Sequence, residues 1–248
     1  MARGTRLALV STLLTLLGGC DENTTDSCQV DNGELSMVAI VEDNGAAIRA
    51  EADFERGDRT TVPSPLTLCD SDVLRIEGQE PIVTEKSERT VYSVTLDADV
   101  DRAVSFVLTR GDDRDDVEVT VELPPAFTIT SPTAMQEVQL RDELTITWEP
   151  PDPDDEMRVG LEEDVGYGQC VITPMDDELN LERRGGVAVE DVGEWTVPAG
   201  LIESESMGPC RAFYILRRIA LRPYLDSLSP GGFFEARVVR AVEILAIP

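Results

Sequence analysis

Apolar and polar residues alternate one for one along much of this chain. In "VEVTVEL", Val117, Val119 and Val121 alternate with Glu118, Thr120 and Glu122. That period of two puts the valines on a core face and the acids in water. "SMVAIVE" (36–42) and "AAIRAEADF" (46–54) flank Asp43-Asn44-Gly45, an Asn-Gly turn of the kind that closes hairpins. "SPLTLC", "DVLRIEG" and "TVYSVTL" are further short strands, and "AVSFVLTR" and "VEVTVEL" form a second hairpin around "GDDRDD". "TEKSER" reads as a loop. Farther on, "AFTITS", "LTITW" and "GEWTVP" read as strands, and "CRAFYILRRIAL" and "FFEARVVRAVEILAI" as the last two, with Pro230-Gly231-Gly232 before the final one. Helical periodicity is not sustained anywhere after residue 19. The expected class is all-β.

A proline-rich seam, "LPPAF" (Leu123 to Phe127), divides the strands into two sets. It contains no flexible Gly/Ser linker and its prolines stiffen it. The expectation is two β-sandwich modules, 28–123 and 124–248, set end to end as a short rod.

The N-terminus has a different pattern. Arg3 and Arg6 precede "LALVSTLLTLLGG", an apolar run of signal-peptide length that is too short to span a bilayer as a mature helix. Leu17-Gly18-Gly19-Cys20 resembles the lipobox of bacterial lipoproteins. The resemblance implies a signal peptide over residues 1–19, cleavage before Cys20, and diacylglycerol on its thiol, with acylation of its amine. Residues 20–27 would then form a lipidated tether. Its seven residues between the two cysteines, "DENTTDS", reach at most roughly 25 Å when extended. One acyl chain binds only marginally, but two or three anchor firmly. Asp21 resembles the inner-membrane retention signal of enteric bacteria; that code varies, so the choice of membrane stays open.

In the second half, Ile129, Ser131, Pro132, Leu144, Ile146 and Trp148 resemble the opening of fibronectin type III-like and immunoglobulin-like modules of bacterial surface proteins. Met135-Gln136-Glu137 occupies the turn where such modules usually carry glycine. "GEWTVPAGLI" (193–202) is similar to one of their late strands and the turn after it. The resemblance implies two tandem immunoglobulin-like or fibronectin III-like sandwiches, the first more divergent. It does not imply an activity.

Composition narrows the chemistry. Removing residues 1–19 leaves 248 − 19 = 229 residues and discards two arginines, taking the net charge from −28 to −30. That acidity argues against nucleic acid as a partner. Histidine is absent and Lys86 is the single lysine. Ser-His-Asp, Cys-His and His-ligated zinc chemistry are therefore excluded. The expectation is a non-enzymatic protein with no cofactor. A carboxylate-dependent enzyme on cell-wall or surface glycans is the alternative.

The five cysteines form an odd set. Taking Cys20 as the lipid site leaves four, which allow three pairings. The seam separates Cys28 and Cys69 from Cys170 and Cys210, so Cys28–Cys69 and Cys170–Cys210 is the economical assignment. Each bridge would contribute roughly 4 kcal/mol as an upper estimate.

Among surface motifs, Asp152, Asp154 and Asp155 in "PPDPDDEMR" are calcium candidates, against the simpler reading of a solvated loop. Calcium-dependent adhesion is therefore a second alternative. Arg-Gly-Asp occurs at 56–58 and 110–112, where hairpins need Gly and Asp in any case. Arg211, Arg217, Arg218, Arg222, Arg237 and Arg240 crowd the last two strands. They form either a docking face for an acidic partner or a set that neutralises nearby acids. Trp148 and Trp195 read as core anchors. The functional expectation is a lipid-anchored cell-envelope protein of a binding or structural type. Its membrane contact is the lipid on Cys20, and its partner is an envelope protein or a glycan.

Overall fold

The computed structural model describes residues 25–57, 64–86, 89–98, 102–111, 114–163, 171–172, 181, 185–204, 208–222, 228 and 232–248. The signal segment, Cys20 and Cys170 lie outside them. The protein is all-β, with sheets packed in a sandwich-like manner. The strands of the first half are β1 (Thr25–Asp26), β2 (Leu35–Asp43), β3 (Ala47–Arg56), β4 (Ser64–Thr67), β5 (Val73–Ile76), β6 (Ile82–Lys86), β7 (Arg89–Asp97), β8 (Ala103–Thr109) and β9 (Val117–Glu122). Those of the second half are β10 (Thr128–Ser131), β11 (Gln136–Gln139), β12 (Leu144–Glu149), β13 (Glu156–Glu163), β14 (Val171–Ile172), β15 (Val187–Glu190), β16 (Glu194–Val197), β17 (Glu203–Ser204), β18 (Cys210–Arg222) and β19 (Phe233–Ile247).

Two cores follow from the alternation. In the first, Met37, Ala39 and Val41 of β2, Ile48, Ala50 and Phe54 of β3, and Tyr92 and Val94 of β7 face Leu74 and Ile76 of β5, Val104 and Phe106 of β8, and Val119 and Val121 of β9. In the second, Ile146 and Trp148 of β12 meet Met157, Val159 and Leu161 of β13, Tyr214 and Leu216 of β18, and Val242 and Ile244 of β19. The β5-β8-β9 sheet closes the first core and the β10-β12-β16 sheet the second. The other wall of both is one large sheet.

That shared wall departs from two modules divided at residue 123. β19 runs parallel to β2 through Phe233–Val238 and parallel to β11 through Ile244–Ile247, while β18 lies antiparallel to it from end to end. Ala220, Phe234 and Ala236 belong to the first core, and Ala212, Val238 and Ala246 to the second. The reason is length. At about 3.3 Å per residue, strands of 13 and 15 residues outrun a single sandwich of ordinary strands. The final hairpin therefore threads both cores.

Four local expectations also change. β6 occupies "IVTEK" and so takes in the first half of "TEKSER", the stretch that reads as a loop. β13 begins at Glu156, so the acidic loop is confined to residues before it. Gln136 and Glu137 open β11 rather than a turn, and Met135 takes the left-handed conformation itself (φ 61°). The chain is held from Thr25 rather than from Cys28, because β1 pairs with β4 and Ser27 is buried.

Candidate functional site

Charged residues that sit in phase with the core alternation build the first constellation. On β18, Tyr214 and Leu216 face inward, and so does Arg218 two residues on; its side chain is wholly buried. It meets the equally buried Asp191 at 2.5 Å and donates to the Pro125 and Pro150 carbonyls at 2.8 and 2.6 Å. Its guanidinium lies 4.9 Å from the centre of the Phe127 ring, a cation–π distance. Trp148 Nε1 donates to the other Asp191 oxygen at 2.6 Å. Nearby, Asp43 ends the inward row of β2 and receives Arg102 and Arg240 at 3.1 and 3.3 Å. Arg102 also donates to the Pro124 carbonyl at 2.5 Å. Burial pushes the Asp43 carboxyl up, but Arg240, the Gly45 N–H and Arg102 outweigh it and hold it below its ordinary value. The seam is thus held by two arginines: Arg102 donates to the carbonyl of Pro124 and Arg218 to that of Pro125.

The second constellation surrounds the Cys28–Cys69 disulfide, whose Cα atoms are 5.9 Å apart. Ser27 Oγ donates to Asp72 at 2.7 Å, and the Gly111 N–H donates to the other oxygen at 2.9 Å. Arg110 and Arg114 contact the same carboxylate at 2.9 and 3.3 Å. Arg110 also donates to the carbonyls of Ser27 and Val30, both at 2.9 Å, and to Asn32 at 2.8 Å. Burial alone would raise the Asp72 carboxyl; these donors and charges hold it below its ordinary value. The arginine of the second Arg-Gly-Asp is therefore a buried structural clamp. In the first copy Arg56 contacts Glu34 at 3.4 Å, and Asp58 lies outside the described residues. Cys210 is disulfide-bonded; Cys170, its expected partner, lies outside the described residues.

The third constellation is open to solvent. The odd-numbered residues of β18 and β19 face away from the cores and form a groove of about 640 Å³ with β13 and β2. Ile215, Ile219, Val239 and Ala241 supply its floor. Arg217 lies directly opposite Arg158 across the β13–β18 pair. Like charges so placed would repel, but each turns to its own acid: Arg217 to Glu162 at 3.0 Å, Arg158 to Glu156 at 2.5 Å. Glycine at 160 makes room for the first, since a side chain there would press on the Arg217 tip. Arg237 bridges Glu42 at 2.6 Å and Glu235 at 3.3 Å. An apolar floor under alternating charges suits a surface that binds by complementarity.

The arginines of the last two strands thus divide by parity. Arg218 and Arg240 are structural, Arg217 and Arg237 line the groove, and Arg211 meets Glu243 at 3.1 Å. Trp148 is a core anchor, while Trp195 is partly buried against the same core. Asp53 and Glu55 of β3 stand apart from the groove. Burial raises both carboxyls; Arg89, 2.6 Å from Asp53, opposes this at each of them.

Among the described residues no three metal-ligating side chains converge on a cation position. Asp152 spends its Oδ1 accepting from the Asp154 N–H at 3.3 Å, an Asx turn, and its carbonyl accepts from the Asp155 N–H at 3.2 Å. Millimolar calcium is expected to leave thermal melting unchanged. Binding at 100 times the dissociation constant would instead add about 2.7 kcal/mol, visible as a calcium-dependent rise in Tm.

The chain matches no protein-family model, and no curated protein is significantly similar to it in sequence.

Proposed function

We propose that this protein is an exported lipoprotein of the bacterial cell envelope, acting as a non-enzymatic binding or structural element. Lipid on Cys20 fixes it to a membrane, and its immunoglobulin-like or fibronectin III-like sandwiches present the β13–β18–β19 groove to an envelope protein or glycan. The observation that carries this reading is the ordered series of Arg3 and Arg6, an apolar run, and Leu17-Gly18-Gly19-Cys20. The cysteine accounting supports it. The Cys28–Cys69 bridge suits an oxidising compartment. Pairing Cys210 with Cys170 would leave Cys20 alone free for a lipid.

The test is fractionation. Wild-type protein should stay with washed membranes and partition into detergent, and Cys20→Ser should move it to the soluble fraction. Full retention of Cys20→Ser on membranes would refute the anchor. Mapping a bridge from Cys170 to any cysteine other than Cys210 would refute the accounting.

A further inference from the structure

β6 is an edge strand: among the described residues it pairs with β7 alone. All five of its residues are exposed. Ile82 and Val83 are 73% and 56% exposed, and as neighbours in a strand they point to opposite faces. Neither face of the strand is covered.

The ladder shows which backbone groups are free. Hydrogen-bonded pairs alternate along antiparallel strands. The Asn44 N–H donates to the Ala47 carbonyl at 3.2 Å, so the bonded pairs between β2 and β3 continue at Glu42–Arg49, Ile40–Glu51 and Val38–Asp53. β3 therefore turns Ile48, Ala50 and Ala52 to β7, where they meet Leu96, Val94 and Tyr92. β7 then turns Val91 and Ser93 to β6, where they meet Thr84 and Ile82. The groups left pointing outward on β6 are the N–H and C=O of Val83 and Glu85.

We infer that β6 pairs edge to edge with β6 of a second copy of this chain, antiparallel, about a two-fold axis at Thr84. In that register Val83 and Glu85 of one copy exchange hydrogen bonds with Glu85 and Val83 of the other, which uses every free group between them. Thr84 faces Thr84. Ile82 lies opposite Lys86 of the second copy, and the lysine stem can cover it while its ammonium stays in water. No like charges stand directly opposite each other. The neighbouring registers are worse. An axis at Glu85 sets Glu85 against Glu85, and an axis at Val83 brings Pro81, which has no N–H, into the ladder. A strand from another protein could use the same hydrogen bonds, but the self-complementary side chains select a second copy. Within the strand itself Lys86 stands beside Glu85, so the five paired residues carry no net charge.

Thr84→Cys in the full-length chain tests the register. The two Thr84 positions form a non-hydrogen-bonded pair with Cα atoms about 4.5 Å apart, within disulfide range. Mild oxidation should give a disulfide-linked dimer on non-reducing gels with Thr84→Cys and none with Ile82→Cys. Adding Glu85→Pro removes a donor that β7 does not use, and should abolish the crosslink while leaving the melting temperature unchanged. Thr84→Asp, which opposes two carboxylates without proline, should be monomeric by sedimentation where the wild type self-associates with concentration. Equal crosslinking at positions 82 and 84, none at 84, a crosslink that survives Glu85→Pro, or a wild type monomeric at every concentration would each overturn the pairing.

Discussion

Replacing Arg218 by methionine is expected to destabilise the protein by roughly 3–5 kcal/mol, the range for breaking a buried ion pair from one side. Methionine keeps much of the volume and the contact with Phe127 but leaves the wholly buried Asp191 carboxylate without its guanidinium. The carbonyls of Pro125 and Pro150 lose their donor in the same step. Asp191→Leu should cost a similar amount, because it leaves a buried cation and an unpartnered Trp148 Nε1. The double variant should be more stable than the sum of the two losses predicts, yet less stable than the wild type, since the two carbonyls and the indole N–H stay unsatisfied at about 1–3 kcal/mol each. Arg218 lies on β18 between Leu216 of the second core and Ala220 of the first. Urea melts followed by circular dichroism, which reads the strands of both cores, should therefore show one transition for the wild type and a split one for Arg218→Met. A loss below about 1 kcal/mol would mean that the pair does not hold the seam.

The same residues show what the sequence could and could not say. Strands with one wet face are legible in period two, as with Val117, Val119 and Val121, and Asn44-Gly45 marks its hairpin. The final two strands are legible at full length. What escapes is that strands so long must serve two cores, because the seam prolines suggest a division and the pairing of β19 with β2 spans nearly the whole chain. β6 escapes for the opposite reason: exposed on both faces, it carries no alternation. β13 has its alternation in Met157, Val159 and Leu161, but the preceding acids mask its start. The buried charges did leave a signal. Asp43 follows Met37, Ala39 and Val41 in phase, Arg110 follows Val104, Phe106 and Leu108, and Arg218 follows Tyr214 and Leu216. A charge in phase with a core row, at or near the point where that core ends, marks a buried ion pair. Its partner across the fold bears the same mark: Asp72 precedes Leu74 and Ile76 in phase, and Asp191 follows Val187 and Val189.

Asp72→Asn carries the second large effect. The amide keeps the shape of the carboxylate, and its single oxygen can still accept from the Gly111 N–H, but its NH2 cannot accept from Ser27, and it leaves the wholly buried Arg110 guanidinium and its neighbour Arg114 without a counter-charge. The loss should again be roughly 3–5 kcal/mol. The Cys28–Cys69 bridge still closes the loop, so reducing Asp72→Asn should unfold it further, whereas reducing the wild type leaves the clamp of Arg110 on Ser27, Val30 and Asn32 in place. pH separates charge from shape. The Asp72 carboxyl is held below its ordinary value of 3.8, so its stabilisation is complete above that value and is lost as pH falls through the lower folded one. Asp43 contributes with the same sign, and Asp53 and Glu55, whose carboxyls burial raises, contribute with the opposite sign. All three are present in both proteins and cancel in the difference. The gap between wild type and Asp72→Asn should therefore be widest near neutrality and narrow as pH drops below about 4. A gap that stays constant with pH would show that Asp72 acts through its shape and hydrogen bonds rather than its charge.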